Sequence, residues 1–341
     1  MTTELEIAGV KIAKGQRKRI HIPVSRLYTD LDVSIPVEVI RSKKDGPTLF
    51  VSAAIHGDEL NGIDIIRRLL QRSMVGLKGT LIAVPIVNAF GVINQSRYMP
   101  DRRDLNRSFP GSATGSLAAR TANLFFTEIV KKCDYGIDLH TGAVHRSNFP
   151  QIRANLSDPE TESLAQSFGV PLLLNMEERD GSMRQSAVEN GVKVLLYEAG
   201  QALRYDELSV RAGLDGIVNV MRTLGMLPVR KKKKIAQAII ARKSSWIRAK
   251  SSGFVHSLCN LGEHVKKHQL LAKIYDPFGD LLDDVVAERD GIIIGKLNIP
   301  LVQEGEAMVH IAYFSNDVDE VAEHVELIQE KYGLPPMEYE T

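Results

Sequence analysis

Two cysteines in 341 residues, Cys133 and Cys259, are too few for a disulfide framework. They read as free thiols of a reducing compartment, so the expected location is cytoplasmic. An excess of one charge is missing too: 43 Lys and Arg against 42 Asp and Glu leave a formal charge of +1. A nucleic-acid footprint needs a basic excess that this chain lacks. No run approaches the roughly 20 apolar residues of a membrane span, and the N-terminal region holds no apolar signal-peptide core. Neither nucleic acid nor membrane is therefore an expected partner. The single tryptophan, Trp246, is expected to pack between domains rather than stack a ligand. What is present in ordinary amount is core material, 44 % hydrophobic residues, enough for one large or two moderate domains.

That material alternates between strand and helix patterns. Ile20, Ile22 and Val24 fall at every second position, and Pro23 among them predicts an edge strand. Val33, Ile35, Val37 and Val39 predict its partner. Residues 48–54 form a short apolar run typical of a buried strand, and residues 63–70 place Ile65, Ile66, Leu69 and Leu70 at helical spacing. Further strands are expected over 79–87, 135–140, 170–174 and 192–197, and helices over 116–131 and 206–224. The fold class this predicts is α/β, a mixed sheet flanked by helices.

His56 and Glu59 lie between the strand at 48–54 and the helix that follows, where loops at carboxyl strand ends converge. His-x-x-Glu offers two zinc ligands from one turn. A catalytic zinc commonly takes two His and one Glu and leaves a position for water. The third ligand is expected from His140, again at a strand end with a glycine close behind. Glu198 closes the strand at 192–197 and is placed to move a proton. Between these motifs runs a loop containing Arg97, Arg102, Arg103 and Arg107, whose guanidinium forks suit a carboxylate. The competing reading of this loop pairs its arginines with Asp101 and Asp104 in solvent.

Four motifs in order carry a resemblance: His56-Gly57-Asp58-Glu59, Asp104-Leu105-Asn106-Arg107-Ser108-Phe109-Pro110-Gly111, Asp138-Leu139-His140-Thr141-Gly142 and Tyr197-Glu198-Ala199-Gly200. Over residues 45–225 the chain resembles the succinylglutamate desuccinylase/aspartoacylase family, relatives of the zinc carboxypeptidases. The resemblance implies one zinc per chain held by His56, Glu59 and His140, with Glu198 as general base and acid. It implies that Asn106 and Arg107 hold a substrate carboxylate and that Arg97 polarises the scissile carbonyl. Arg102 and Arg103 lie closer to Asn106 and compete for that role. Arg184 is a further candidate for a carboxylate partner, without a match to the four motifs. Asp138 is either the support of a ligand or a strand-end cap. His145 is expected at the rim without a metal. The implied activity is zinc-dependent deacylation of an N-acyl amino acid or similar small carboxylated amide. The alternatives are a zinc carboxypeptidase acting on peptides and a binding protein with a vestigial site.

Domains are expected over 1–228 (zinc hydrolase with N-terminal strands), 229–314 (all-β) and 315–341 (helix and tail). The basic run at 230–234 reads as a solvated linker. Short apolar runs broken by Gly, Asp and Pro predict the small all-β module. The order Gly253-Phe254-Val255, Gly262-Glu263-His264-Val265, Asp290-Gly291-Ile292-Ile293 and Gly305-Glu306-Ala307 resembles a biotinyl/lipoyl-type fold. Where carrier domains of that type present a modified lysine, this chain has Asp276-Pro277-Phe278-Gly279-Asp280. The module is therefore expected to cover the active site or to form a homo-oligomer contact. His256, His264, His268 and His310 within it lack ligand spacing. A polar helix is expected over 317–332.

Overall fold

The structure, a computed structural model, describes residues 4–175, 181–229, 238–241, 243–314, and then 323, 325–327 and 330–332. The basic run at 230–234 lies outside the described residues. So does much of the expected C-terminal helix, including Val318, Val321, His324, Ile328 and the closing Gly333, Pro335 and Pro336. Val325 is described and is buried.

A small hairpin, β1 (Leu5–Ile7) and β2 (Val10–Ile12), precedes the main sheet. Then follow β3 (Arg17–Arg26), β4 (Asp32–Arg41), β5 (Thr48–Ala53), α1 (Asn61–Gln71), β6 (Thr80–Val84), α2 (Ala89–Ile93), α3 (Leu117–Glu128), β7 (Tyr135–Gly142) and β8 (Arg146–Ala154). Next come α4 (Pro159–Phe168), β9 (Leu172–Asn175), α5 (Met183–Glu189), β10 (Lys193–Gln201) and α6 (Glu207–Thr223). Among the described residues the C-terminal part is β only up to Tyr313: β11 (Ile239–Ala241), β12 (Lys243–Arg248), β13 (Gly253–Ser257), β14 (His264–Val265), β15 (Leu270–Tyr275), β16 (Leu281–Val286), β17 (Gly291–Leu297), β18 (Leu301–Val302) and β19 (Ala307–Tyr313).

Strands β6, β5, β7 and β10 run parallel at the centre, with β3 and β4 antiparallel at one side. As Pro23 requires, β3 is the edge. Alternate residues of the central strands face opposite cores. Leu49, Val51 and Ala53 pack under α1, α4 and α6, whereas Phe50 faces α3. His140, Glu198 and Asp138 lie on the Phe50 side, because their neighbours Leu139 and Tyr197 point into the α1 layer.

The C-terminal strands do not stand apart. β8 runs antiparallel to β10, and its first residues pair with β17, which pairs with β19, which pairs with β12. Among the described residues the sheet thus has 13 strands and passes from the N-terminal α/β region into the C-terminal one. A second sheet, ordered β16-β15-β13-β18, closes over it around Leu271, Ile274, Ile293 and Ile311. In addition β11 pairs with β9, so a strand from the C-terminal part lies beside one that precedes α6 in the chain.

Candidate active site

His56 and Glu59 occupy the turn between β5 and α1. The turn is tight enough that a Cβ on Gly57 would stand 1.9 Å from the Gly91 carbonyl carbon, so glycine is required there. His140 sits near the end of β7. In register, His140 on β7 faces Glu198 on β10, and Glu198 faces Gln151 on β8. Two residues earlier on each of β7 and β10, Asp138 faces Leu196, and Leu196 faces Arg153. Residues directly opposite share a sheet face, so these two rows put one histidine, two carboxylates and Arg153 on one surface.

The carboxylate of Glu59 bridges both imidazoles: its Oε1 is 2.6 Å from His56 Nδ1 and its Oε2 is 2.8 Å from His140 Nδ1. The Thr141 amide also donates to Oε2, at 3.1 Å. The far nitrogens are held by two more carboxylates. Asp138 Oδ2 is 2.8 Å from His140 Nε2 and Asp104 Oδ1 is 3.2 Å from His56 Nε2. Ser52 donates to the other oxygen of Asp138.

All three of His56, Glu59 and His140 are buried. Burial works against charge on either imidazole, but the facing carboxylates overcome it and raise both His56 and His140. Burial likewise opposes charge on Glu59, and the two imidazoles hold it well below the usual carboxylate range. One donor atom from each of the trio lies within 4.8 Å of the others, a spacing that suits one metal ion. Carboxylates on the outer nitrogens are the support that metal-bound histidines generally have, so the residues fit such an ion.

Asp104 joins this group to the arginine loop. Its Oδ2 accepts from Arg97 Nη2 at 2.9 Å, and its side chain caps the 3-10 turn Leu105–Arg107 through the Asn106 amide. Arg97 also approaches Glu59 Oε1 at 3.5 Å. The solvated-loop reading thus has one pair right, Arg97 with Asp104, but this aspartate is turned inward to His56. Asp101 instead accepts the Ala118 and Arg103 amides.

A cavity of about 230 Å³ opens on these groups. His56, Glu59, Arg97, Asn106, Arg107, Asp138, His140 and Glu198 line it, as the sequence places them, and so does Arg184. Arg102 and Arg103 do not: both are exposed, and the turn closed by the Met99 amide on the Arg103 carbonyl, with Arg102 at φ +64°, carries them away from the lining. His145 stands outside the metal-ligating trio, with its carbonyl accepting the Asn298 amide. Arg146, Asn148, Arg153, Ser182 and Trp246 were not foreseen in this lining. Three of these five come from β8, whose inward polar residues hide its strand pattern.

Trp246 reaches the cavity from β12. Its indole lies flat on His310, ring centroids 4.6 Å apart and planes at 11°, and the Arg146 guanidinium stands over it at 5.6 Å. In register Trp246, His310, Gly295 and Asn148 form one row across four strands. A Cβ on Gly295 would stand 3.0 Å from Asn148 Oδ1, 3.1 Å from His310 Cβ and 3.3 Å from the indole. The glycine leaves room for the tryptophan to cross its neighbours. Among the described residues the His56, Glu59 and His140 trio is the group found that could hold a metal ion, and no helix is long and apolar enough to cross a membrane.

By fold and site the chain falls in a class of α/β proteins that gather buried polar groups, among them a trio able to hold a metal ion, at the carboxyl edge of a mixed sheet. Residues 45–224 match the family model of the succinylglutamate desuccinylase/aspartoacylase catalytic domain, and the chain belongs to that family. It is 28 % identical over 295 residues to N-alpha-acetyl-L-2,4-diaminobutyric acid deacetylase of Halomonas elongata, covering 82 % of this chain and 86 % of that one. A crystal structure of a succinylglutamate desuccinylase/aspartoacylase from Rhodobacter sphaeroides superposes with a TM-score of 0.77 at 25 % identity, over 87 % of this chain and 95 % of that one. The product-bound ectoine utilization protein EutE (DoeB) of Ruegeria pomeroyi shares the fold with a TM-score of 0.80 at 23 % identity, over 92 % and 98 %.

Proposed function

We propose that the protein is a zinc-dependent deacylase that hydrolyses an N-acyl amino acid or a similar small carboxylated amide. One observation carries this reading: His56, Glu59, His140 and Glu198 share a single cavity with Arg97, Asn106 and Arg107. His56, Glu59 and His140 would hold one zinc ion per chain. Zinc bound there supplies Lewis acidity and lowers the pKa of water to about 7.

The protein's own groups do the rest. Glu198 takes a proton from the attacking water, whose hydroxyl adds to the acyl carbon. As the C–N bond breaks, Glu198 returns that proton to the nitrogen, leaving a free amine and a carboxylic acid that then loses its remaining proton to solvent. Arg97 donates to the acyl oxygen as negative charge gathers on it. Asn106 and Arg107 hold the substrate carboxylate, with Arg184 on the same lining as a further partner.

The relative from Halomonas supports an N-acyl amino acid as the substrate class. The small cavity, walled by Trp246, supports a small amide over a peptide, which would need a longer open groove. We read residues 1–228 as the hydrolase domain and 229–314 as a biotinyl/lipoyl-like module without a carrier lysine. Its hairpin tip is closed by Asp276, which accepts the Phe278 and Asp280 amides. Both cysteines are buried free thiols, which supports a reducing, cytoplasmic setting.

The test is a comparison of N-acetyl and N-succinyl amino acids, their carboxyl-amidated forms and dipeptides as substrates. The expected result is hydrolysis of acyl amino acids at least about tenfold above dipeptides, equivalent to about 1.4 kcal/mol, and a similar loss on amidation. Faster hydrolysis of dipeptides would move the reading to a carboxypeptidase.

A further inference from the structure

Glu198 does not stand alone in the cavity. Arg153, on the neighbouring antiparallel strand β8, places Nε 2.8 Å from Glu198 Oε2. Both side chains are largely shielded, 18 % and 15 % exposed. The two are not directly opposite. Arg153 faces Leu196 and Gln151 faces Glu198, so the contact is a diagonal one on the same sheet face, within reach of a long side chain. It is an ion pair without the alignment of a hydrogen bond: Arg153 Nε has no directed acceptor. The carboxylate is therefore steered by charge but not locked.

The surroundings leave Arg153 little else to hold. Among the described residues, Glu198 is the carboxylate within ion-pair distance of it. On the side of the C-terminal strands stands His310, buried beside it with Nδ1 unpartnered, and Gln151 is fully buried with neither amide atom paired. Neither group offers Arg153 a counter-charge.

We propose that Arg153 is a positioning residue for Glu198, holding the carboxylate toward the His56, Glu59 and His140 trio so that it meets the attacking water. The inference rests on the deacylase reading and adds to it a residue of β8. It also gives that strand a role in catalysis: β8 is where the sheet of the C-terminal region joins the catalytic one.

The experiment compares the full-length wild type with Arg153→Met and Arg153→Lys, using the best N-acyl amino acid substrate and reading kcat and KM separately. Without the guanidinium, kcat is expected to fall about 10- to 100-fold with KM within about threefold, as for a loss of orientation rather than of binding. Added methylguanidinium should restore part of the kcat of Arg153→Met, and Arg153→Lys should lie between the two. A role confined to folding would show no rescue. Unchanged kcat in Arg153→Met, a rise in KM alone, or a loss that neither methylguanidinium nor lysine relieves would each overturn the inference. Absence of turnover by the wild type on every N-acyl amino acid would instead overturn the deacylase reading, and this inference with it.

Discussion

Oε2 of Glu59 lies 2.8 Å from Nδ1 of His140, which follows it by 81 residues in the chain. The other oxygen of the same carboxylate reaches His56, so a single turn after β5 and the end of β7 are tied at one point. That tie is made from groups that a metal ion would share, and each imidazole is held from behind by an aspartate.

The support behind His140 is open to direct test. Asp138→Asn keeps the shape and removes the charge that faces Nε2. Zinc affinity, measured by competition with a chelator, is expected to fall about 10- to 100-fold, the usual cost of losing such a partner. Unchanged affinity would show that Asp138 serves only the strand end.

Glu198→Gln separates metal binding from proton transfer, because Glu198 is not part of the metal-ligating trio. The variant is expected to bind zinc as the wild type does and to lose about 10²- to 10⁴-fold in kcat. Wild-type turnover in the variant would remove Glu198 from the mechanism.

Trp246→Ala should widen the cavity on the side of the C-terminal strands, since the indole lines it. Activity on an acetyl amino acid is expected to fall while activity on a benzoyl amino acid rises, changing the ratio of kcat/KM values by about tenfold or more. A constant ratio would show that the indole does not bound the acyl site.

His310 gives a pH dependence of stability. Burial and the nearby charge of Arg153 push its pKa down to about 3. Between that value and the unfolded value of about 6.5 the unfolded chain binds the extra proton, so stability falls as pH falls through this window. At pH 5 the cost is about 2 kcal/mol relative to pH 7. Urea unfolding should show this contribution in the wild type and lose it in His310→Phe, which keeps an aromatic ring against Trp246. An equal pH dependence in both would contradict it.

Much of the catalytic region is legible in the sequence for simple reasons. β5 is a short, largely apolar run, α1 shows its stripe of Ile65, Ile66 and Leu69, and His-x-x-Glu is a short-range pattern. The third member of the trio is legible because His140 lies near the end of a strand of the same kind. β8 is not legible, since Asn148, Gln151 and Arg153 are polar residues turned inward and its alternation reads as a loop. The helix α4 falls outside the expected elements although the sequence carries its signals, Asp158 as cap, Pro159 in the first turn and Gly169 at φ +90° after the last. The choice among the arginines depends on a turn, not on distance along the chain: Arg102 and Arg103 leave the site while Arg184, far from the loop, enters it. The position of Trp246 depends on Gly295, which belongs to another strand and shows no pattern linking the two.

Metal content of the purified protein, measured by elemental analysis beside His140→Ala, tests the central claim most directly. The account predicts about one zinc per wild-type chain, as a site of this kind holds, and loss of that zinc in the variant. No zinc in the wild type even after it is offered, or zinc retained in full by His140→Ala, would contradict it.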